Sequence, residues 1–186
     1  QAGFNRLSIG LQSADNRELR HLGRIHSFEE FLKSFQSARM AGFQNINVDL
    51  MSGIPGQTME SWKNTLKKVT MLKPEHISSY SLIIEEGTPY WERYGKKKKG
   101  REKPQTLPNA ADTPGLIQEP MDISRQELPP LPDEDTENQM YHLTRRFLKE
   151  QGYGRYEISN YAKPGYVLFR GGPGLILLPG RVPLQQ

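Results

Sequence analysis

The sequence predicts an α/β fold: a partial (β/α) barrel followed by a mainly helical C-terminal extension. Two observations carry this. Strand patterns begin near residues 6, 45 and 76 with helical patterns between them, so the repeating units run 39 and 31 residues. That is the spacing of βαβ units, whose right-handed crossovers make the strands parallel. The first two strands also have one aliphatic face and one small or polar face. An ordinary parallel sheet is apolar on both. A barrel holding a polar ligand in its lumen needs that asymmetry; an internal hydrogen-bonded polar network is the alternative.

Each element follows from local pattern. Arg6 to Gln12 alternates Leu7, Ile9 and Leu11 with Ser8, Gly10 and Gln12, the period of a strand. Ser27 and Glu30 have capping-box spacing ahead of a helix whose stripe is Phe28, Phe31, Leu32, Phe35 and Ala38. Gly42 suits the left-handed position that closes that helix. Asn45 to Leu50 is the second strand, with Ile46, Val48 and Leu50 on one face and Asn45, Asn47 and Asp49 on the other. Thr58 caps a helix carrying Trp62, Leu66, Val69 and Leu72, which Lys73 and Pro74 stop. His76 to Ile84 is the third strand. Asp133 caps a helix carrying Met140, Leu143, Phe147 and Leu148, ended by Gly152, and Arg155 to Tyr161 reads as extended.

Composition bounds the chemistry. Of the 186 residues none is cysteine, so thiolate metal sites, disulfides and cysteine nucleophiles are excluded for these residues. The net charge of +4 equals the contribution of Lys96 to Lys99. No aromatic residues interleave with that run, so it reads as a solvated loop and no nucleic-acid partner is expected. No apolar run approaches the roughly 20 residues of a membrane span. With no targeting signal visible, a cytoplasmic location is expected. Residues 96–132 carry seven prolines and the lysine run, and read as a disordered insertion. Residues 166–186 fit no amphipathic template. The chain opens Gln1-Ala2-Gly3 and enters a strand at once, which reads as a piece cut from a larger protein.

Four collinear segments resemble a known family: Arg6-Leu7-Ser8-Ile9-Gly10-Leu11-Gln12-Ser13; Leu22-Gly23-Arg24-Ile25-His26; Asn47-Val48-Asp49-Leu50 through Gly56-Gln57-Thr58; and Pro74-Glu75-His76-Ile77-Ser78-Ser79-Tyr80-Ser81-Leu82. They are similar to strands four to six of the radical S-adenosylmethionine (TIM-like) partial barrel, in the oxygen-independent coproporphyrinogen III oxidase-like branch that includes heme chaperones. Tyr156 to Gly165 resembles that branch's segment just after the barrel. The resemblance makes residues 1–95 the second half of the barrel and 133–165 a C-terminal helix and extended segment, with 96–132 an insertion and 166–186 a divergent tail.

The resemblance also implies roles. Gln12, Arg24 and Asp49 match positions that contact S-adenosylmethionine. The family's three cysteines for a [4Fe–4S] cluster have no counterpart here, so these residues by themselves would carry no radical chemistry. Heme or a porphyrin is the implied ligand and a heme-acceptor protein the implied partner. Heme binding and transfer is the leading implied function. Oxidative decarboxylation of porphyrinogen propionates is the second, and a non-functional remnant the third. His21 and His26 are five apart and share no helical face, while His76 and His142 are expected at a strand start and on a helix surface.

Overall fold

The computed structural model describes residues 5–95 and 129–167. The expected insertion and tail lie almost wholly outside them. Elements follow in the order β1 (Leu7–Gln12), α1 (Asn16–His21), α2 (Phe28–Met40), β2 (Ile46–Ser52), α3 (Met59–Met71), β3 (His76–Ser81), α4 (Pro89–Tyr94), α5 (Glu134–Glu150), β4 (Gly154–Arg155) and β5 (Asn160–Ala162). They build one five-stranded sheet ordered β1-β2-β3-β5-β4. The first three strands are parallel, and β5 and β4 add as an antiparallel pair.

The strand faces divide as the alternation predicts. Leu11, Ile46, Val48, Leu50 and Ile77 are buried against the helices, where they meet Phe31, Phe35, Trp62, Leu66, Met140 and Leu148. Trp62 is fully buried, and its indole N–H donates to Thr144 Oγ1 at 2.9 Å, fastening α3 to α5. Capping follows the sequence. Ser27 and Glu30 close a reciprocal box on α2, Thr58 does so with Ser61 on α3, and Asp133 caps α5. Gly42 and Gly152 end their helices at φ 92° and 83°.

Two readings are corrected. The third strand stops at Ser81 rather than Ile84, because its ladder partner β2 ends at Ser52 and Leu82 N–H on Ser52 O closes the last pair. The stretch from Arg155 to Tyr161 is not continuously extended. A turn held by Asn160 N–H on Glu157 O separates β4 from β5. The short helices α1 and α4 were not anticipated. The chain just before α5 is docked: Gly56 N–H donates to Pro130 O, and the Tyr94 hydroxyl donates to Pro129 O. No helix among the described residues is long and apolar enough to cross a membrane.

Candidate functional site

The inner face of the sheet carries the site residues. A parallel ladder places partners side by side on one face, and β1 and β2 pair Ser8 with Asn47 and Gly10 with Asp49. Asp49 therefore stands in the middle of β2, which continues to Ser52, level with Gly10 of β1. Its carboxylate accepts from Ser8 Oγ at 3.0 Å and from Asn47 Nδ2 at 2.7 Å. Asn47 Nδ2 also donates to Ser8 Oγ at 2.8 Å.

Gln12 is brought to the same place by a bulge. The β1–β2 register slips between Gly10 and Gln12, and Gln12 sits at φ 68°. A left-handed conformation is uncommon for a residue with a Cβ and costs of order 1 kcal/mol or more. A bulge of this kind re-aims a side chain. Here the Gln12 amide folds back over Gly10, whose lack of a side chain makes the room: a Cβ there would meet Gln12 Nε2 at 2.8 Å. Gln12 Oε1 is buried and has no hydrogen-bond partner among the described residues. Buried polar atoms are rarely left so. Gln12 and Asp49 are thus assembled, one with an unused acceptor.

Arg24 is not part of that assembly. It is exposed, follows α1, and its backbone N–H donates to Leu19 O. Its side chain makes no hydrogen bond or ion pair with any described residue.

Two features escaped the sequence reading. Glu18 is buried at 4% exposure and its carboxylate collects three uncharged donors: Ser13 Oγ at 2.6 Å, Ser61 Oγ at 2.6 Å and Gln57 Nε2 at 2.9 Å. Gln57 Oε1 in turn accepts Gly53 N–H at 2.9 Å. Glu18 thereby ties the loop after Gln12 to the loop that follows β2. Its position three residues after the N-cap Asp15 looks like a capping box, which conceals this. Ser13 Oγ accepts the Asp15 N–H instead, and Glu18 turns inward. The second feature is the continuation of the Asp49 network across β3 and β5, through Ser78 and Asn160.

The histidines fall out of the site. His21 is bonded through Nδ1 to Pro55 O, and its own carbonyl accepts the Tyr90 hydroxyl. His76 starts β3 as expected, but it is deeply buried, with Tyr156 and Tyr166 edge-on to its ring. Burial first, and the Arg6 charge second, lower its pKa to about 4, against a smaller opposing pull from Glu75. His142 sits on α5 with its ring edge-on to Tyr141. No cluster of three or more metal-ligating side chains occurs among the described residues. A groove of about 460 Å³ lies on the helix side, lined by Ala14, Asp15, Thr58, Ser61 and Lys68, and none of Gln12, Arg24 or Asp49 lines it.

Residues 1–69 match the family model of the Radical SAM superfamily. Over those residues the chain is similar to that superfamily. Among curated proteins it is 34% identical to the heme chaperone HemW of Bacillus subtilis, over 89% of this chain and 36% of that protein. It is 32% identical to HemW of Escherichia coli, over 89% of this chain and 35% of that protein. Mouse radical S-adenosyl methionine domain-containing protein 1, mitochondrial, is 34% identical over 88% of this chain and 30% of its own length. Among solved structures, the coproporphyrinogen III oxidase HemN of Escherichia coli, described as a radical SAM enzyme, superposes with a TM-score of 0.59. It is 27% identical, over 87% of this chain and 30% of its own. The chain spans about a third of the length of the curated relatives it matches. Within the radical SAM superfamily the described sheet is part of the TIM-like barrel, with the helical portion after it. The residues fit the superfamily's two cofactors unequally. Gln12, poised over Gly10 with a free acceptor, and Asp49 suit a polar nucleoside. A [4Fe–4S] cluster finds no thiolate in these 186 residues.

Proposed function

We propose that this chain forms one wall of an S-adenosylmethionine pocket in a protein of heme chaperone type, which binds heme and hands it to an acceptor protein in the cytoplasm. The observation that carries the cofactor reading is that the bulge-aimed Gln12, its acceptor unpartnered, folds over Gly10, the ladder neighbour of Asp49. Asp49 would accept hydrogen bonds from ribose hydroxyls, and the Gln12 amide, donor and acceptor in one group, would take the polar edge of the same ligand. Arg24, exposed and unpaired, remains available to a carboxylate such as the methionyl end. The chemistry such a cofactor brings is a reactive sulfonium. These residues bind and orient it and supply none of the cluster ligands that reduce it.

The heme reading is supported by the curated relatives named as heme chaperones. A second reading, oxidative decarboxylation of a porphyrinogen, is supported by the HemN likeness. Titration of the protein at its natural length with hemin separates them. A stoichiometric Soret shift without porphyrinogen turnover supports the chaperone, and turnover with propionate loss supports the oxidase. Neither result would leave a remnant. Calorimetry with S-adenosylmethionine tests the cofactor wall: saturable binding lost in Asp49→Ala is expected, and binding indifferent to that change would refute the assignment.

A further inference from the structure

The polar network on the inner face runs across four strands and has a fixed direction. At one end Asn47 Nδ2 donates to the Asp49 carboxylate at 2.7 Å. At the other, Asn160 Nδ2 donates to Glu157 Oε2 at 2.6 Å. Carboxylates only accept, so each one forces its asparagine to present the amide nitrogen outward. Both amide oxygens must then face inward. They meet at Ser78 Oγ, 3.1 Å from Asn47 Oδ1 and 2.8 Å from Asn160 Oδ1. A hydroxyl has one proton, and two oxygens compete for it. Ser78 is 4% exposed and Asn47 3% exposed, so water does not make up the shortage at the Asn47 end, while Asn160 is only half-buried.

We infer that Ser78 and Asn160 are positioning residues for Asp49, through a hydrogen-bond ladder that is one proton short and whose state is set by Glu157. This rests on the reading of Asp49 as a cofactor-binding carboxylate. The shortage gives the ladder a sign. When the Ser78 proton lies on Asn160, Asn47 Oδ1 is bare, and the amide that holds Asp49 is tethered at one end only. When it lies on Asn47, the hold is complete. The substitution Glu157→Gln lets the shortage be relieved, because a glutamine can donate where a carboxylate only accepts. The introduced amide nitrogen donates to a flipped Asn160 Oδ1, Asn160 Nδ2 donates to Ser78 Oγ, and the Ser78 proton belongs to Asn47 alone. The segment after the barrel, through β5, thereby reaches a residue two strands away.

Two substitutions of opposite expected sign test this, which a merely structural role would not produce. The direct readout is solvent exchange of the Asn47 side-chain amide protons by nitrogen-edited NMR. Ser78→Ala is expected to speed exchange about fivefold, the effect of losing one neutral hydrogen bond. Glu157→Gln is expected to slow it. The affinity for S-adenosylmethionine, by calorimetry, is expected to fall in the first variant and rise in the second. Asn47 exchange that ignores Ser78→Ala, or that speeds up in Glu157→Gln, overturns the ladder. If both exchange effects appear while the unsubstituted protein binds no S-adenosylmethionine, the ladder stands as geometry and the cofactor reading fails. If exchange responds but affinity does not, the positioning role is overturned.

Discussion

Removing Glu18 should cost more than its place on a six-residue helix suggests. In Glu18→Ala three donors lose their acceptor. Two have a fallback: Ser61 Oγ already lies 3.0 Å from Thr58 O, and Ser13 Oγ lies 3.5 Å from Thr65 Oγ1. Gln57 Nε2 has only Met51 O at 3.4 Å, a poor bond. A hydrogen bond to a charged group contributes about 1.5–3 kcal/mol net, so one such bond lost and two weakened come to about 2–3 kcal/mol. With unfolding entropy scaling by chain length, a folded part of this size should melt roughly 7–11 °C lower. Glu18→Gln keeps the shape but sets an amide nitrogen against one of the three donors, and should lose about half as much. Thermal and urea unfolding monitored by circular dichroism measure both. An alanine variant melting within about 2 °C of the parent would show that the Ser13, Gln57 and Ser61 contacts carry no net stability, refuting the argument.

Other outcomes follow from the same structure. Thr144→Val strands the buried Trp62 indole N–H and should cost about 1–3 kcal/mol, measured by urea unfolding. Gly10→Ala should leave stability within about 1 kcal/mol, since the chain gains a stiffer residue. Its Cβ would displace the Gln12 amide, so calorimetry should show weaker S-adenosylmethionine binding. His76 titrates near pH 4 when folded and at its ordinary 6.5 when unfolded. Between those values the unfolded chain binds the extra proton, so the His76 contribution is intact above pH 6.5, declines as pH falls and is fully lost below about pH 4. His76→Phe should flatten the stability profile over that window, and an unchanged slope would show that the imidazole is not held neutral.

The parts of the fold that were legible are those decided within a few residues. The capping box at Ser27, the Thr58 cap, the Gly42 stop and the alternation in β1 and β2 are settled between near neighbours, and the structure keeps them. Elements decided by distant partners were not legible. The third strand ends early because its ladder partner β2 runs out at Ser52. The segment after α5 breaks into two strands because β5 must reach β3 while its own turn closes on Glu157. The site followed the same rule. The polar face announced Gln12 and Asp49, but nothing local says that Leu11 sits in a bulge or that Gln12 turns left-handed. Arg24 was carried by resemblance alone, and it stands exposed, away from the bonds that organise the other two.

Gln12 and Asp49 are held by two networks that share no residue. The loop side depends on Glu18, which binds Ser13, Gln57 and Ser61, and through Gln57 the Gly53 amide. The sheet side depends on Asn47, Ser78 and Asn160. The first sets where the loops after β1 and β2 travel, and the second sets how one carboxylate is turned. A loop can move without rotating Asp49, since its amide partner Asn47 lies within the same strand. Asp49 can be loosened without moving the loops, since Ser78 touches none of them. That division explains why the sheet gives inner-face positions to Ser78 and Asn160, where aliphatic residues would pack with less risk. A core that only needed to be filled would not place two amides facing a single buried hydroxyl.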